Sequence, residues 1–281
     1  MSNADDITPQ QLTKDEQVEA EDLVPPRAAV LYEVVRQDGC RELERTFGAL
    51  WWSGIAAGLS LGFSVLVMAV LETFVSDDGM GSALITPLGY TVGFLIVVLA
   101  RQQLFTENTV TAVLPLMVEK TWTSLYRSAR LWLIVLIANL IGTFVFTIFI
   151  IYSGAVSDDV LAAARKIALH LMDKSTLEMF SGAIFAGWLI ASMVWVMPSA
   201  EGMEFWIVLL ITYVIALLGF SHIIAGSVEA YLLVINGDIS TYYAATHFGI
   251  PTFFGNVIGG TTLFAMISYA QVREEIITEK T

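Results

Sequence analysis

The chain has one cysteine, Cys40, so no disulfide can close within it, and a thiolate metal or redox centre lacks its ligands. It has three histidines, too few and too scattered for a histidine metal cluster. Charge is scarce as well, at 15% of residues against roughly 25% in a soluble domain. Basic residues are the scarcer sign, 14 Lys and Arg against 27 Asp and Glu, and no nucleic-acid partner is expected. No nucleophile–base pair and no cofactor motif is present, so neither an enzyme nor a bound cofactor is expected. The first residues lack a basic stretch followed by an apolar one, which argues against a cleaved signal peptide.

What is abundant is apolar surface: 56% of residues are hydrophobic and the mean hydropathy is +0.70, beyond the range of an ordinary soluble domain. The acids are unevenly spread. Residues 1–26 hold seven of them (Asp5, Asp6, Asp15, Glu16, Glu19, Glu21 and Asp22) against Lys14, the composition of a disordered tail closed by Pro25-Pro26. Residues 27–46 alternate Val30, Leu31, Val34 and Val35 with charges at near-helical spacing, which predicts an interfacial amphipathic helix. Residues 47–274 form the membrane region, and 275–281 a short C-terminal tail.

Six apolar segments fill that region, at about 47–75, 83–118, 131–153, 177–198, 204–235 and 250–272. The second is interrupted. Ala83 to Ala100 carries no charge, Arg101-Gln102-Gln103-Leu104-Phe105-Thr106-Glu107-Asn108-Thr109 follows, and the apolar run resumes only to Val118. A crossing takes roughly 20 apolar residues, so the resumed piece cannot span alone. Backbone that leaves a helix at bilayer depth must be buried in protein or line a wet cavity. Polar residues there point to a pathway. The fifth segment is interrupted in turn at Gly219-Phe220-Ser221-His222, with Glu229 beyond it. Two interrupted spans, one in each group of three, are the mark of a repeat transporter.

Short matches in the same order support the repeat. Ser53-Gly54 through Gly58 pairs with Ser181-Gly182 through Gly187, and Ala138-Asn139-Leu140-Ile141-Gly142-Thr143 with Gly255-Asn256-Val257-Ile258-Gly259-Gly260-Thr261. The breaks Leu104-Phe105-Thr106 and Gly219-Phe220-Ser221 fall between them. Three spans per half make the repeat inverted. Arg36, Arg41, Arg45, Lys120, Arg127, Arg130, Arg273 and Lys280 gather on one side, and only Arg165, Lys166 and Lys174 on the other. Both termini are therefore expected in the cytoplasm, with Ser76-Asp77-Asp78-Gly79 and the 154–176 connection outside.

Leu104-Phe105-Thr106, Gly219-Phe220-Ser221-His222 and Gly255-Asn256-Val257-Ile258-Gly259-Gly260, in this order from Ala28 to Tyr269, resemble the formate/nitrite transporter family. The resemblance implies an all-α fold of six transmembrane helices, an aquaporin-like inverted 3+3 repeat with broken second and fifth helices. It implies a homopentamer in a bacterial inner membrane, with a pore in each protomer that passes small monovalent weak-acid anions and protons. Phe105 and Thr106 fall on the family's loop beside the central chamber, His222 on its pore histidine and Asn256 on its sixth-helix asparagine. Lys166 falls near the basic residue of the outer vestibule, and Tyr90, Phe94 and Ile215 on the constriction positions. The chain departs from the pattern at Arg101-Gln102-Gln103, at Gly187 in place of an asparagine, and at Glu229.

Each residue carries a plainer reading too. His222 suits proton exchange near neutral pH, or it is a structural histidine on a backbone carbonyl. Thr106 and Asn108 can cap the helix at the break. Arg101 and Glu107 are expected to form an ion pair anchoring the loop, since unpaired charges there are costly. Glu229 is a partner for Arg101 or a pore-lining acid. His170 and His247 are expected in solvent, and Trp51-Trp52 and Tyr242-Tyr243 in the interfacial belt. Two further functions stay open: an aquaporin-like pore for a neutral solute, with Arg101 repelling ions, and a non-conducting scaffold of the same fold.

Overall fold

The computed structural model describes residues 12–17, 24, 26–75 and 80–278, and every long regular element among them is a helix. Most of the acidic tail, the Ser76–Gly79 loop and the end of the C-terminal tail lie outside the described residues.

Helix α1, Ala28–Glu44, opens the fold. Its buried face is Tyr32, Val35, Gly39 and Leu43, while Val30 and Val34 are exposed. Of the apolar residues read from the sequence, Val35 lies on this inward face, beside Tyr32 and Gly39. Gly39 is where α1 touches the pore region: a Cβ there would stand 2.0 Å from the Thr111 carbonyl oxygen, so the two backbones are in direct contact.

Among the described residues, four helices are long and apolar enough to cross a membrane. They are α2 (Phe47–Phe74), α6 (Trp122–Tyr152), α8 (with its tail, Thr176–Ser199) and the closing helix, Thr241–Glu274. The hydroxyls of Thr46, Thr121 and Ser175 cap the first three, and Glu178 completes a capping box with Ser175. The closing helix includes two π-helical stretches, Ala244–Gly249 and Ile258–Ala265, on either side of Ile250–Val257.

The other apolar segments are paired pieces. Helix α3 (Met80–Leu99) stops, and α4 (Phe105–Thr111) and α5 (Val113–Glu119) follow. Helix α9 (Glu204–Leu217) stops, and α10 (Ala225–Ile235) follows. The 154–176 connection holds a further helix, α7 (Asp158–Met172), which buries Ala164, Ala168 and Met172 against the bundle. Helix α2 packs along α3 and α6, while α8 packs on the closing helix and α9. Leu133, Leu210, Phe254 and Ile267 lie on the outside, each more than half exposed, as a lipid-facing surface requires.

Candidate functional site: two chain breaks meeting at a histidine

Both breaks are built on one backbone plan. Helix α3 ends with Gln102 N–H on the Val97 carbonyl at 2.9 Å and Arg101 N–H on Val98 at 3.0 Å. Helix α9 ends with Phe220 N–H on Ile215 at 2.9 Å and Gly219 N–H on Ala216 at 3.0 Å. Each is the Schellman stop, which needs a left-handed residue just past the helix. That residue is Gly219 at φ 63° in one and Arg101 at φ 51° in the other. Arg101 therefore corresponds to Gly219, Leu104 to His222 and Phe105 to Ile223. This corrects the sequence register, which set Leu104-Phe105-Thr106 against Gly219-Phe220-Ser221.

A buried asparagine holds each break. Asn139 Oδ1 accepts from Phe105 N–H at 2.9 Å, and its amide donates to the carbonyls of Gly54 and Gln103, both at 2.8 Å. Asn256 Oδ1 accepts from Ile223 N–H at 2.9 Å, and its amide donates to Ala183 at 2.8 Å and Ser221 at 3.1 Å. Asparagine is the short side chain that offers one acceptor and two donors in a plane. Asn256 thus shapes the loop that carries His222. Gly187 lies against Asn256: a Cβ there would stand 2.3 Å from the Asn256 carbonyl oxygen, so no side chain fits.

The breaks meet at one bond. Thr106 Oγ1 lies 2.8 Å from His222 Nε2, and both residues are buried. Ala225 N–H donates to His222 Nδ1 at 3.3 Å, so the proton of the neutral ring sits on Nε2 and is given to Thr106. The Thr106 hydroxyl hydrogen is left to donate elsewhere. Thr106 is not a cap: the N-cap of α4 is Leu104, and its side chain makes no capping bond. Asn108 instead donates to Gln103 Oε1 and to the Leu104 carbonyl, each at 3.1 Å. Phe94 stands edge-on to His222 with centroids 5.1 Å apart, and Tyr90 follows at 5.0 Å from Phe94. Ile215 is fully buried just before the second break. Phe105 points into packing, stacked on Phe253 at 5.5 Å and edge-on to Trp132 at 5.9 Å.

The charged residues fall differently from the sequence expectation. Arg101 and Glu107 form no ion pair among the described residues; Arg101 is exposed, and Glu107 Oε1 is shut from solvent without a hydrogen-bond partner. Arg101 turns out of the loop because its left-handed backbone ends α3. Glu229 is buried on α10, within electrostatic range of Lys174 and Tyr90 and not of Arg101. Lys166 reaches Glu72 at 3.1 Å, and it is Lys174 that stands at the second break, its ammonium donating to the Gly219 carbonyl. Burial holds the Lys174 ammonium below the usual lysine range, against the opposing pull of Glu229 and Glu178. The sequence signal for Lys174 was its place directly before the Ser175–Glu178 capping box, at a helix start facing the break. His247 is half-buried rather than solvated, 3.0 Å from Thr176 Oγ1 and 2.7 Å from the Lys174 carbonyl, and stacked on Tyr243.

On the α1 side, the first break opens into a cleft of about 460 Å³ between α1, α3, α8 and α9. The opposite outer wall carries an apolar groove lined by Leu136, Leu140, Phe248 and Phe253.

An all-helical bundle with two broken helices converging on a buried polar pair defines a membrane channel or transporter. Residues 29–270 match the family described as formate/nitrite transporter, and the chain belongs to that family. It is 44% identical to the inner membrane protein YfdC of Escherichia coli (strain K12), over 92% of this chain and 84% of that one. It is 26% identical to the formate channel BtFdhC of Bacillus thuringiensis, over 85% of this chain and 92% of that one. Among solved structures, a pentameric formate channel with formate bound superposes with a TM-score of 0.65 at 19% identity, covering 85% of this chain and 98% of that one. An FNT family ion channel superposes with a TM-score of 0.73 at 16% identity, covering 86% and 98%.

Proposed function

We propose that the protein conducts small monovalent weak-acid anions of the formate and nitrite type through a pore in each subunit, exchanging a proton at His222. The observation that carries this is the buried 2.8 Å bond from His222 to Thr106, made where the two breaks meet. A bare anion crossing an apolar constriction loses its hydration, and burying an ion costs several kcal/mol or more. Protonating it there removes most of that cost. Histidine titrates near neutral pH, and the Thr106 hydroxyl can donate to a carboxylate oxygen while accepting from the ring. Lys174 beside the second break gathers anions on its side, a role the sequence gave to Lys166.

The proposed architecture follows the same reading. Four full crossings and two broken ones make six, and the shared asparagine plan supports an inverted 3+3 repeat. An even number of crossings puts both termini on one face, and the excess of Lys and Arg there makes it cytoplasmic. Helix α1 then lies at that interface. The pentameric formate channel neighbour and the inner-membrane relative support a pentamer in a bacterial inner membrane.

His222→Asn keeps hydrogen bonding but cannot take up a proton. In liposomes, the variant is expected to reshape the pH dependence of weak-acid flux by removing the part that His222 contributes, while keeping its assembly size. A variant with the wild-type pH profile would remove His222 from the proton path.

A further inference from the structure

At the mouth of the first break lies an acid that the His222 chemistry does not use. Glu107 follows Thr106 directly and lines the cleft beneath α1. Its Oε1 is enclosed and accepts no hydrogen bond, and Gln102 Oε1, on the same cleft, is enclosed and unpartnered too. The cations nearby are engaged or turned away. Arg41 pairs with Asp38 at 2.8 Å, Arg45 pairs with Glu42 at 3.0 Å, and Arg101 is exposed with no ion pair among the described residues. The remaining charged groups facing the cleft, Asp38 and Glu42 from α1 and Glu204 from α9, are acids.

A carboxylate with one oxygen enclosed and unpartnered is costly, and a proton relieves that cost. The two protonation states treat an approaching anion in opposite ways. The ionised group repels it at short range through a poorly screened medium. The neutral group offers an O–H donor to it. We propose that Glu107 is an entry filter on the α1 face of the pore: anions enter when it is protonated and are turned back when it is ionised. The second break carries Lys174 at the corresponding mouth, so the filter acts from one face only. This inference rests on the weak-acid pore proposed above.

The test uses the full-length protein oriented in liposomes, with labelled formate, which stays ionised over the range used, and pH varied on the α1 face alone. In the wild type, entry from that face is expected to fall about tenfold per pH unit along the alkaline limb, as the protonated fraction does. Glu107→Gln, neutral at every pH, is expected to erase that limb and hold flux at the acid-side level. Glu107→Asp is expected to keep the limb at a shifted position. A Glu107→Gln variant with the wild-type limb overturns the proposal, as does one that loses flux at every pH while Glu107→Asp behaves as wild type. Infrared titration supplies a reading free of transport: a protonated-carboxyl band that titrates in the wild type and vanishes in Glu107→Gln. If the wild type carries no formate, the weak-acid pore is rejected while a titrating band still supports a neutral Glu107. Absence of that band overturns the filter on its own.

Discussion

At the first break Asn139 ties Phe105, Gln103 and Gly54 together, and at the second Asn256 ties Ile223, Ser221 and Ala183 together with the same three kinds of bond. Both breaks begin with the same helix stop. The side chains set on this shared backbone differ completely. The first has Arg101 at the left-handed position, Thr106 facing the centre and Glu107 enclosed. The second has Gly219 at that position, His222 facing the centre and Lys174 at the mouth. The backbone plan helps two broken helices coexist with a low-dielectric surrounding, because it partners the Phe105 and Ile223 amides and the Gln103 and Ser221 carbonyls of the loops. The chemistry is free to diverge on top of it, and it has diverged in sign: acid at one mouth, base at the other.

The largest effect is expected at the asparagines. Asn256→Leu orphans the Ile223 amide and the Ser221 carbonyl, each worth about 1–3 kcal/mol when buried and unpaired. A loss above about 3 kcal/mol is expected, read as thermal unfolding in detergent. Asn139→Leu should match it, and a large inequality between the two would break the idea of a shared plan.

Gly219→Ala comes next. It puts a side chain at φ 63°, where a Cβ would also stand 3.1 Å from Lys174 Nζ, and should cost about 1–2 kcal/mol in the same assay. The reciprocal change should run the other way. Arg101→Gly relieves a left-handed arginine and is expected to gain about 1 kcal/mol. A destabilised Arg101→Gly would mean that the Arg101 side chain itself supports the loop.

The smallest effect concerns the link between α7 and the end of α10, where Arg165 Nε meets Asp238 Oδ2 at 2.7 Å. Arg165 holds the Asp238 carboxyl below its usual range. A folded-state pKa below the unfolded one means stability present above the unfolded value, about 3.9, and lost as pH falls through the folded one. Asp238→Asn should flatten that acid limb by lowering the neutral-pH plateau slightly toward the acid level, with the acid end of the stability–pH curve unchanged.

The apolar runs, both interruptions and the matched asparagines were legible in the sequence because membrane depth forbids polar backbone without a cause. The family was legible from those motifs. Arg101 was misread because a left-handed turn is announced by glycine, and arginine there carries no such signal. That hidden turn moved the break register and dissolved the expected pair with Glu107. The position of Lys174 at the second break was not legible because α7 was invisible as a separate helix. Once residues 158–172 are folded onto the bundle, it is the turn after them that returns to the second break. On the inward face of α1 Val35 was legible, while Tyr32 and Gly39 were missed because valines outweigh them in a count of hydrophobic residues and close backbone approach favours a glycine.

The lone thiol that excluded disulfides at the outset has a practical use. Cys40 sits half-buried on α1, next to Gly39 and its contact with Thr111, with Arg36 Nη1 3.5 Å from its sulfur. A spin label or fluorophore attached there reports from one position in each chain, with no competing cysteines to remove. The native sequence thus already carries a single spectroscopic handle beside the first break.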